Sequence, residues 1–243
     1  MSTPTPRFTP ARWLLVATLL LGAGCASTGP AVETPPAPAF VATPSLVETK
    51  REVAAYVDSG RYEAEVAAVV DQARAFLDAR AARGGKLAIV LDVDETALSN
   101  LTSLRANDWG FVVGGPCDLP RGPCGLLAWI ASAQSPPIKP VLALARLARE
   151  RGVAVFFLTG RPERLRAATE RNLHAAGYQW TGLLLKPDDL TTRSAVEQKA
   201  AERKKLVDQG YVIVVNMGDQ MSDLDGGFAE RTYKLPNPFY FVP

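Results

Sequence analysis

The sequence contains a single histidine, His174, in 243 residues. This excludes a mechanism that needs two catalytic histidines and a histidine-rich zinc site. Cysteine is almost as scarce. Cys25, Cys117 and Cys124 are the three, and none is followed six residues later by arginine, so a cysteine-nucleophile phosphate loop is absent. Neither G-x-S-x-G nor G-x-x-x-x-G-K-S/T occurs, which removes the serine-hydrolase elbow and the nucleotide P-loop. Surplus charge is missing too. Lys and Arg number 27 against 25 Asp and Glu, a net charge of +2. Residues 1–24 hold two of those arginines and no acid, so the remainder is neutral. No basic excess remains to hold a nucleic acid polymer or an anionic membrane surface. The apolar run Trp13–Leu21 is shorter than the ~20 residues a membrane span requires. No internal repeat is visible.

That short run does suit another purpose. Arg7 and Arg12 precede it, as a charged segment precedes the apolar core of an export signal, and residues 1–24 read as a signal peptide. "LLGAGC" then ends at Cys25 and resembles the bacterial lipobox, whose cysteine is lipidated and becomes the new N-terminus. Gly22 stands where that motif usually has Leu, with Leu21 one place further back. Lipidation of Cys25 would give a membrane-anchored lipoprotein. Ala26 after the cysteine favours the outer membrane, facing the periplasm. The alternative is ordinary cleavage nearby and a soluble periplasmic protein. Residues 25–45 are rich in Pro, Ala and Thr and read as a flexible tether or simply a disordered N-terminus. Residues 46–243 are then the folded domain, and 47% hydrophobic content is enough for its core.

Within that domain, Val66, Val69, Val70, Ala73, Phe76 and Leu77 recur at helical spacing, and Gly84-Gly85 stops the helix. Four apolar runs follow: "LAIVL", "VAVFFL", "GLLL" and "YVIVVNMG". They lack alternation, as strands buried on both faces should. Helical stretches with a proline near the start or a glycine at the end lie between the later ones. The expected fold is α/β, a Rossmann-like parallel sheet with helices on both faces and right-handed crossovers. Residues 97–140, rich in Gly, Pro and aromatics, read as a small cap inserted after the first strand.

The four runs end, in chain order, in Asp92, Thr159, Lys186 and Asp219. Ligands of open parallel sheets bind beyond the carboxyl ends of the strands, so four such ends mark a site. Asp92 and Asp94 lie ~6.5–7 Å apart in an extended chain and project to one side. Carboxylates this close repel and need a cation or a proton between them. Mg²⁺ prefers carboxylate and water oxygens and pairs with phosphate. Lys186 and the Thr159 hydroxyl suit the remaining phosphoryl oxygens. Asp219 and Asp223, four apart, share a face if the loop turns helically and could complete the metal's shell.

These residues carry a resemblance. "DVDET", "LTGR", "LLLKP" and "GDQMSD" are similar, in order, to the four motifs of the haloacid dehalogenase-like phosphohydrolases. "DVDETALSN", "VFFLTGRPE", "NMGDQMSDL" and "YKLPNPFYFV" resemble the bacterial lipoprotein acid phosphatases (class B/C type) and the plant acid phosphatase and vegetative storage proteins. The resemblance runs from about Lys50 to the C-terminus. It implies a Mg²⁺-dependent phosphomonoesterase acting on small phosphomonoesters, including 5′-nucleotides, through an aspartyl-phosphate. Asp92 would be the nucleophile and Asp94 the acid and then the base. Thr159, the amide of Gly160, and Lys186 would hold the phosphate. Asp92, the Asp94 carbonyl, Asp219 and Asp223 would surround Mg²⁺. Pro187 constrains the residue after the third motif without removing the amine.

Other residues carry two readings. Cys117 and Cys124 are expected to pair in an exported protein. Trp109, Phe111 and Trp129 could stack on a nucleotide base or form the cap's own core. Arg161 and Arg164 could assist the phosphate or only begin a solvated helix. His174 reads as a packing or surface residue. Two rival functions are a catalytically silent binding or storage protein, against which Asp92 and Asp94 are both present, and a receiver domain, against which stand the export signal, the cap and the acids after Lys186. The sequence leaves the oligomeric state open.

Overall fold

The computed structural model describes residues 43–189 and 194–242. The expected signal peptide, Cys25 and nearly all of the tether lie outside the described residues. The first helix, α1 (Leu46–Asp58), starts at a capping box: the Ser45 hydroxyl accepts from the Glu48 amide, and the Glu48 carboxylate accepts from the Ser45 amide. α2 (Arg61–Ala81) is the long helix that the apolar spacing predicts. Tyr62, Val66, Val70, Ala73 and Leu77 form its buried stripe, while Val69 and Phe76 are only partly covered.

Five strands follow: β1 (Leu87–Leu91), β2 (Ala154–Pro162), β3 (Gly182–Lys186), β4 (Val212–Gly218) and β5 (Arg231–Lys234). They form one parallel sheet in the order β3-β2-β1-β4-β5. β1 at the centre is buried along its whole length. Its alternate side chains go to different layers. Leu87, Ile89 and Leu91 pack with α2 and with α5 (Lys139–Glu150), whereas Ala88 and Val90 pack with Leu206 of α7 (Ala195–Asp208). Helices therefore cover both faces, which is why the run shows no polar alternation.

Two features differ from the sequence expectation. β5 is a fifth strand at the sheet edge. Three of its four residues, in "RTYK", are exposed, so nothing apolar announces it. β2 also continues past Leu158 through Thr159 and Gly160 to Pro162, with its register against β3 broken between Leu158 and Pro162. Between β1 and α5 the chain forms two short helices, α3 (Leu101–Ala106) and α4 (Leu126–Ser132), joined by a loop in which Cys117 and Cys124 are disulfide-bonded. The remaining helices are α6 (Arg166–Ala175) and the four-residue α8 (Met221–Leu224). Among the described residues no helix is long and apolar enough to cross a membrane.

Ile89 is fully buried at the centre of the sheet. Ile89→Ala should therefore lower the unfolding free energy by about 2–5 kcal/mol. The check is urea denaturation, with a lower midpoint and an unchanged slope.

Candidate active site

The carboxyl ends of β1, β2 and β4 meet the start of α7 at a cleft of about 240 Å³. Asp92, Asp94, Thr159, Gly160, Asp219 and Asp223 all line it. The inserted segment contributes Phe111, Val113, Leu126, Leu127 and Ile130, and the C-terminal tail contributes Tyr240 and Val242.

Asp92, Asp219 and Asp223 each offer a carboxylate oxygen within 4.8 Å of the others, and all three are buried. Burial pushes the Asp92 carboxyl well above the usual carboxylate range, and the Asp223 charge pushes it further, against the pull of Lys199. Asp219 is raised to about 6 by burial and by Asp223, against hydrogen bonds from Asn237 and Gln220. The backbone is shaped to this cluster. A Cβ on Gly218 would come within 2.3 Å of the Asp223 side chain, so only glycine fits there.

The cation in this cluster is Lys199. Its ammonium lies 2.8 Å from Asp92 Oδ1 and also pairs with Asp223 Oδ1. Burial opposes its charge, but Asp92 and Asp223 together hold its pKa above that of a free lysine. This corrects the expectation for Lys186. Lys186 ends β3, is only half-buried, sits beside Pro162 across the sheet, and does not line the cleft. β3 is the edge strand of the sheet, separated from β1 by β2. A helix after it supplies the amine instead.

Asp94 is clamped by Arg161, whose Nη2 lies 2.8 Å from Oδ1 and Nε 3.0 Å from Oδ2. Burial alone would raise the Asp94 carboxyl, but the Arg161 guanidinium and an Asn100 hydrogen bond hold it below the usual carboxylate range. Arg161 is itself buried, and its amide donates to the Thr159 hydroxyl at 3.1 Å. Arg164 stays outside, paired with Asp188 on the surface. His174 is exposed and packs against Trp180. Of the aromatics, Trp129 is buried with its indole N–H on Asn100, and Trp109 stacks on Phe239. Both are packing residues here. Phe111 is the one that faces the cleft, stacked on Tyr240 with ring centres 4.3 Å apart.

Glu95, Asn100, Lys199, Arg203, Asn237 and Tyr240 escape a reading of the motifs. Glu95 is fully buried at φ +50°, an uncommon backbone for a side chain of its kind. Its carboxylate accepts from the Asn100 amide at 2.6 Å and from the Tyr240 hydroxyl at 2.6 Å. Asn237 of the tail donates to Asp219 Oδ2 at 2.6 Å. Lys199 had one signal. With Arg203 and Leu206 it forms a buried stripe at helical spacing on α7.

Burial, with the Asp94 and Asp219 charges, raises Glu95 from 4.5 to about 8, against hydrogen bonds from Tyr240 and Asn100. A carboxyl raised in the folded state contributes stability that is complete below its unfolded pKa and lost as pH rises through its folded one. In metal-free protein, the stability of wild type relative to Glu95→Gln should therefore fall between pH 5 and about 8 and then level off. Parallel pH profiles of the two unfolding free energies would refute the assignment.

Residues 11–243 match the family model of the HAD superfamily, subfamily IIIB (acid phosphatase). Acid phosphatase 1 of Solanum lycopersicum is 36% identical over 155 residues, 63% of this chain and 58% of that protein. A stem 31 kDa glycoprotein of Glycine max is 31% identical over 222 residues, 90% of this chain and 83% of that protein. The class C acid phosphatase from Bacillus anthracis shares the fold, with a TM-score of 0.61 at 24% identity over 79% of this chain and 86% of that one. The chain spans 50–59% of the length of the first curated relatives it matches. On the extent of the family match, this chain belongs to subfamily IIIB of the HAD superfamily, the acid phosphatase subfamily.

Proposed function

We propose that this chain is a Mg²⁺-dependent acid phosphatase that hydrolyses small phosphomonoesters through an aspartyl-phosphate on Asp92. The observation that carries this reading is the meeting of Asp92, Asp219, Asp223 and Lys199 in one buried cleft at the sheet's carboxyl edge. Three converging carboxylates with one ammonium between them leave a negative excess, and an all-oxygen donor set suits a hard divalent cation. Asp92, Asp219 and Asp223, with the Asp94 carbonyl, would hold Mg²⁺. Bound there, it would neutralise the carboxylates and part of the phosphate charge.

The chain's own residues account for the rest. The Asp92 carboxylate attacks phosphorus, and the bond from phosphorus to the ester oxygen breaks. Asp94 gives a proton to the departing oxygen, then takes one from the water that hydrolyses the aspartyl-phosphate. Arg161 keeps Asp94 ionised in the free enzyme, so the proton enters with the substrate, whose monoanion carries one in acid solution. The Thr159 hydroxyl, the Gly160 amide and the Lys199 ammonium hold the non-bridging oxygens. Phe111 and Tyr240 at the mouth of the cleft support flat leaving groups, 5′-nucleotides among them. The cap reading of residues 97–140 fits the apolar wall they supply. The Cys117–Cys124 disulfide suits an oxidising compartment, in keeping with export and an anchor at Cys25. A silent storage-type protein is the alternative, and it would have no need to keep Asp92 and Asp94 together with a paired Lys199.

Phosphate release from p-nitrophenyl phosphate and nucleoside monophosphates tests the reading. Chelation should abolish release, Mg²⁺ should restore it, and Asp92→Asn should show none in any condition. Release undiminished in excess chelator, with no metal retained, would sink the metal assignment. A second measurement separates the two lysines. Lys199→Met should lose roughly 10²–10³-fold in kcat, while Lys186→Met stays close to wild type.

A further inference from the structure

Asn100 stands just before α3, buried beneath the cleft. Its side-chain amide makes four hydrogen bonds, the full number such a group can make. Nδ2 donates to Asp94 Oδ1 at 2.8 Å and to Glu95 Oε2 at 3.1 Å. Oδ1 accepts from the Trp129 indole N–H at 2.9 Å and from the Ser135 hydroxyl at 3.0 Å. The two ends of an amide have nearly the same shape, so its partners decide which way it faces. A hydroxyl can donate or accept and decides little. An indole N–H can only donate, and an ionised carboxylate can only accept. Trp129 therefore fixes the carbonyl on its own side and leaves the amine for Asp94.

The fixing groups are themselves held. Trp129 is buried on α4. The Ser135 amide donates to Asn172 Oδ1 at 3.1 Å, and Asn172 Nδ2 donates back to the Ser135 carbonyl at 2.7 Å, which ties this turn to α6. A chain of contacts thus runs from α6 and α4 through one amide to the Asp94 carboxylate. On that carboxylate, Asn100 and Arg161 both hold Oδ1, while Oδ2 meets only Arg161 Nε. The geometry leaves Oδ2 the less occupied oxygen.

We propose that Asn100 is a positioning residue for Asp94, and that Trp129 and Ser135 set its orientation so that the Asp94 carboxyl presents Oδ2 to the leaving oxygen. The inference rests on the acid and base reading of Asp94 given above. An amide free to turn over would set its carbonyl against the Asp94 carboxylate, and Asp94 would rotate away. The resulting loss depends on the leaving group. A poor one, such as an alkoxide, needs the proton in the transition state; an acidic phenol departs with little help. A merely structural role for Asn100 would slow both alike.

The test is single-turnover release of the leaving group by the full chain with Mg²⁺, comparing p-nitrophenyl phosphate with glycerol phosphate. The variants are Trp129→Phe and Trp129→Phe/Ser135→Ala, with Asp94→Asn as reference. Misplaced proton transfer should slow glycerol phosphate by about ten- to a hundredfold in the double variant and p-nitrophenyl phosphate by less than ~threefold. Trp129→Phe keeps the aromatic volume and should shift the same ratio by a smaller factor, so it decides the matter if the double variant does not fold. If Asp94→Asn is selective while the folded Trp129 variant slows both substrates equally, or neither, the positioning role is overturned and the Asp94 reading stands. If Asp94→Asn slows both equally, both are overturned.

Discussion

The architecture of the cleft depends on one ammonium. Lys199 sits between Asp92 and Asp223, all three buried, with Asp219 alongside. Taking such charges out of water is costly, and each is tolerable only while its partners remain. Removing one member of a buried pair typically costs about 3–5 kcal/mol, because the other is left uncompensated. Even with Lys199 present the balance is incomplete. Burial and mutual repulsion push Asp92 and Asp219 upward, so the cluster still lacks positive charge. That shortfall would be wasteful in a packed core. Under the proposed function, a divalent cation would supply the missing charge.

Holding the cluster together falls to residues of α7, β4 and the C-terminal tail. Arg203, one turn after Lys199 on α7, is fully buried and donates to the carbonyls of Asp223 at 2.6 Å, Gly227 at 2.9 Å and Asp225. Asn216 of β4 donates to the same Asp223 carbonyl at 2.9 Å. The absent side chain of Gly218 leaves room for that loop to close. One face of α7 therefore supplies both the charge that neutralises the carboxylates and the donor that fixes the backbone bearing one of them. The C-terminal tail acts likewise from the other side, with Asn237 on Asp219 and Tyr240 on Glu95.

The strands were legible because burial on both faces leaves an uninterrupted apolar run, and their polar ends then point to the edge where the site lies. Asp92, Asp94, Thr159, Asp219 and Asp223 all reach the cleft for that reason. Lys186 obeys the same rule at the end of the edge strand β3, yet it does not line the cleft. Lys199 was hidden among Lys204, Lys205 and Glu202, the composition of a solvated helix face, although its spacing to Arg203 and Leu206 marks a buried stripe. β5 and the tail gave no signal, because exposed residues in a short edge strand carry no periodicity. Asn100 and Glu95 lie inside "DVDETALSN", but only the fold brings Trp129, Ser135 and Tyr240 to them.

The cleft joins two surfaces of different origin. Its floor is polar and comes from strand ends, α7 and α8. These positions are locked to one another by charge and by close backbone approach, so few side chains can change there without unbalancing the cluster. Its walls are largely apolar and come from the segment after β1 and from the tail, through Phe111, Val113, Leu126, Leu127, Ile130, Tyr240 and Val242. Phe111 remains partly exposed, and Val113 more so, so these side chains are not committed to the core. A substitution in the walls alters apolar contact area, a matter of about 25 cal/mol per Å². A substitution in the floor strands a buried charge. The two surfaces therefore differ in how freely they can vary.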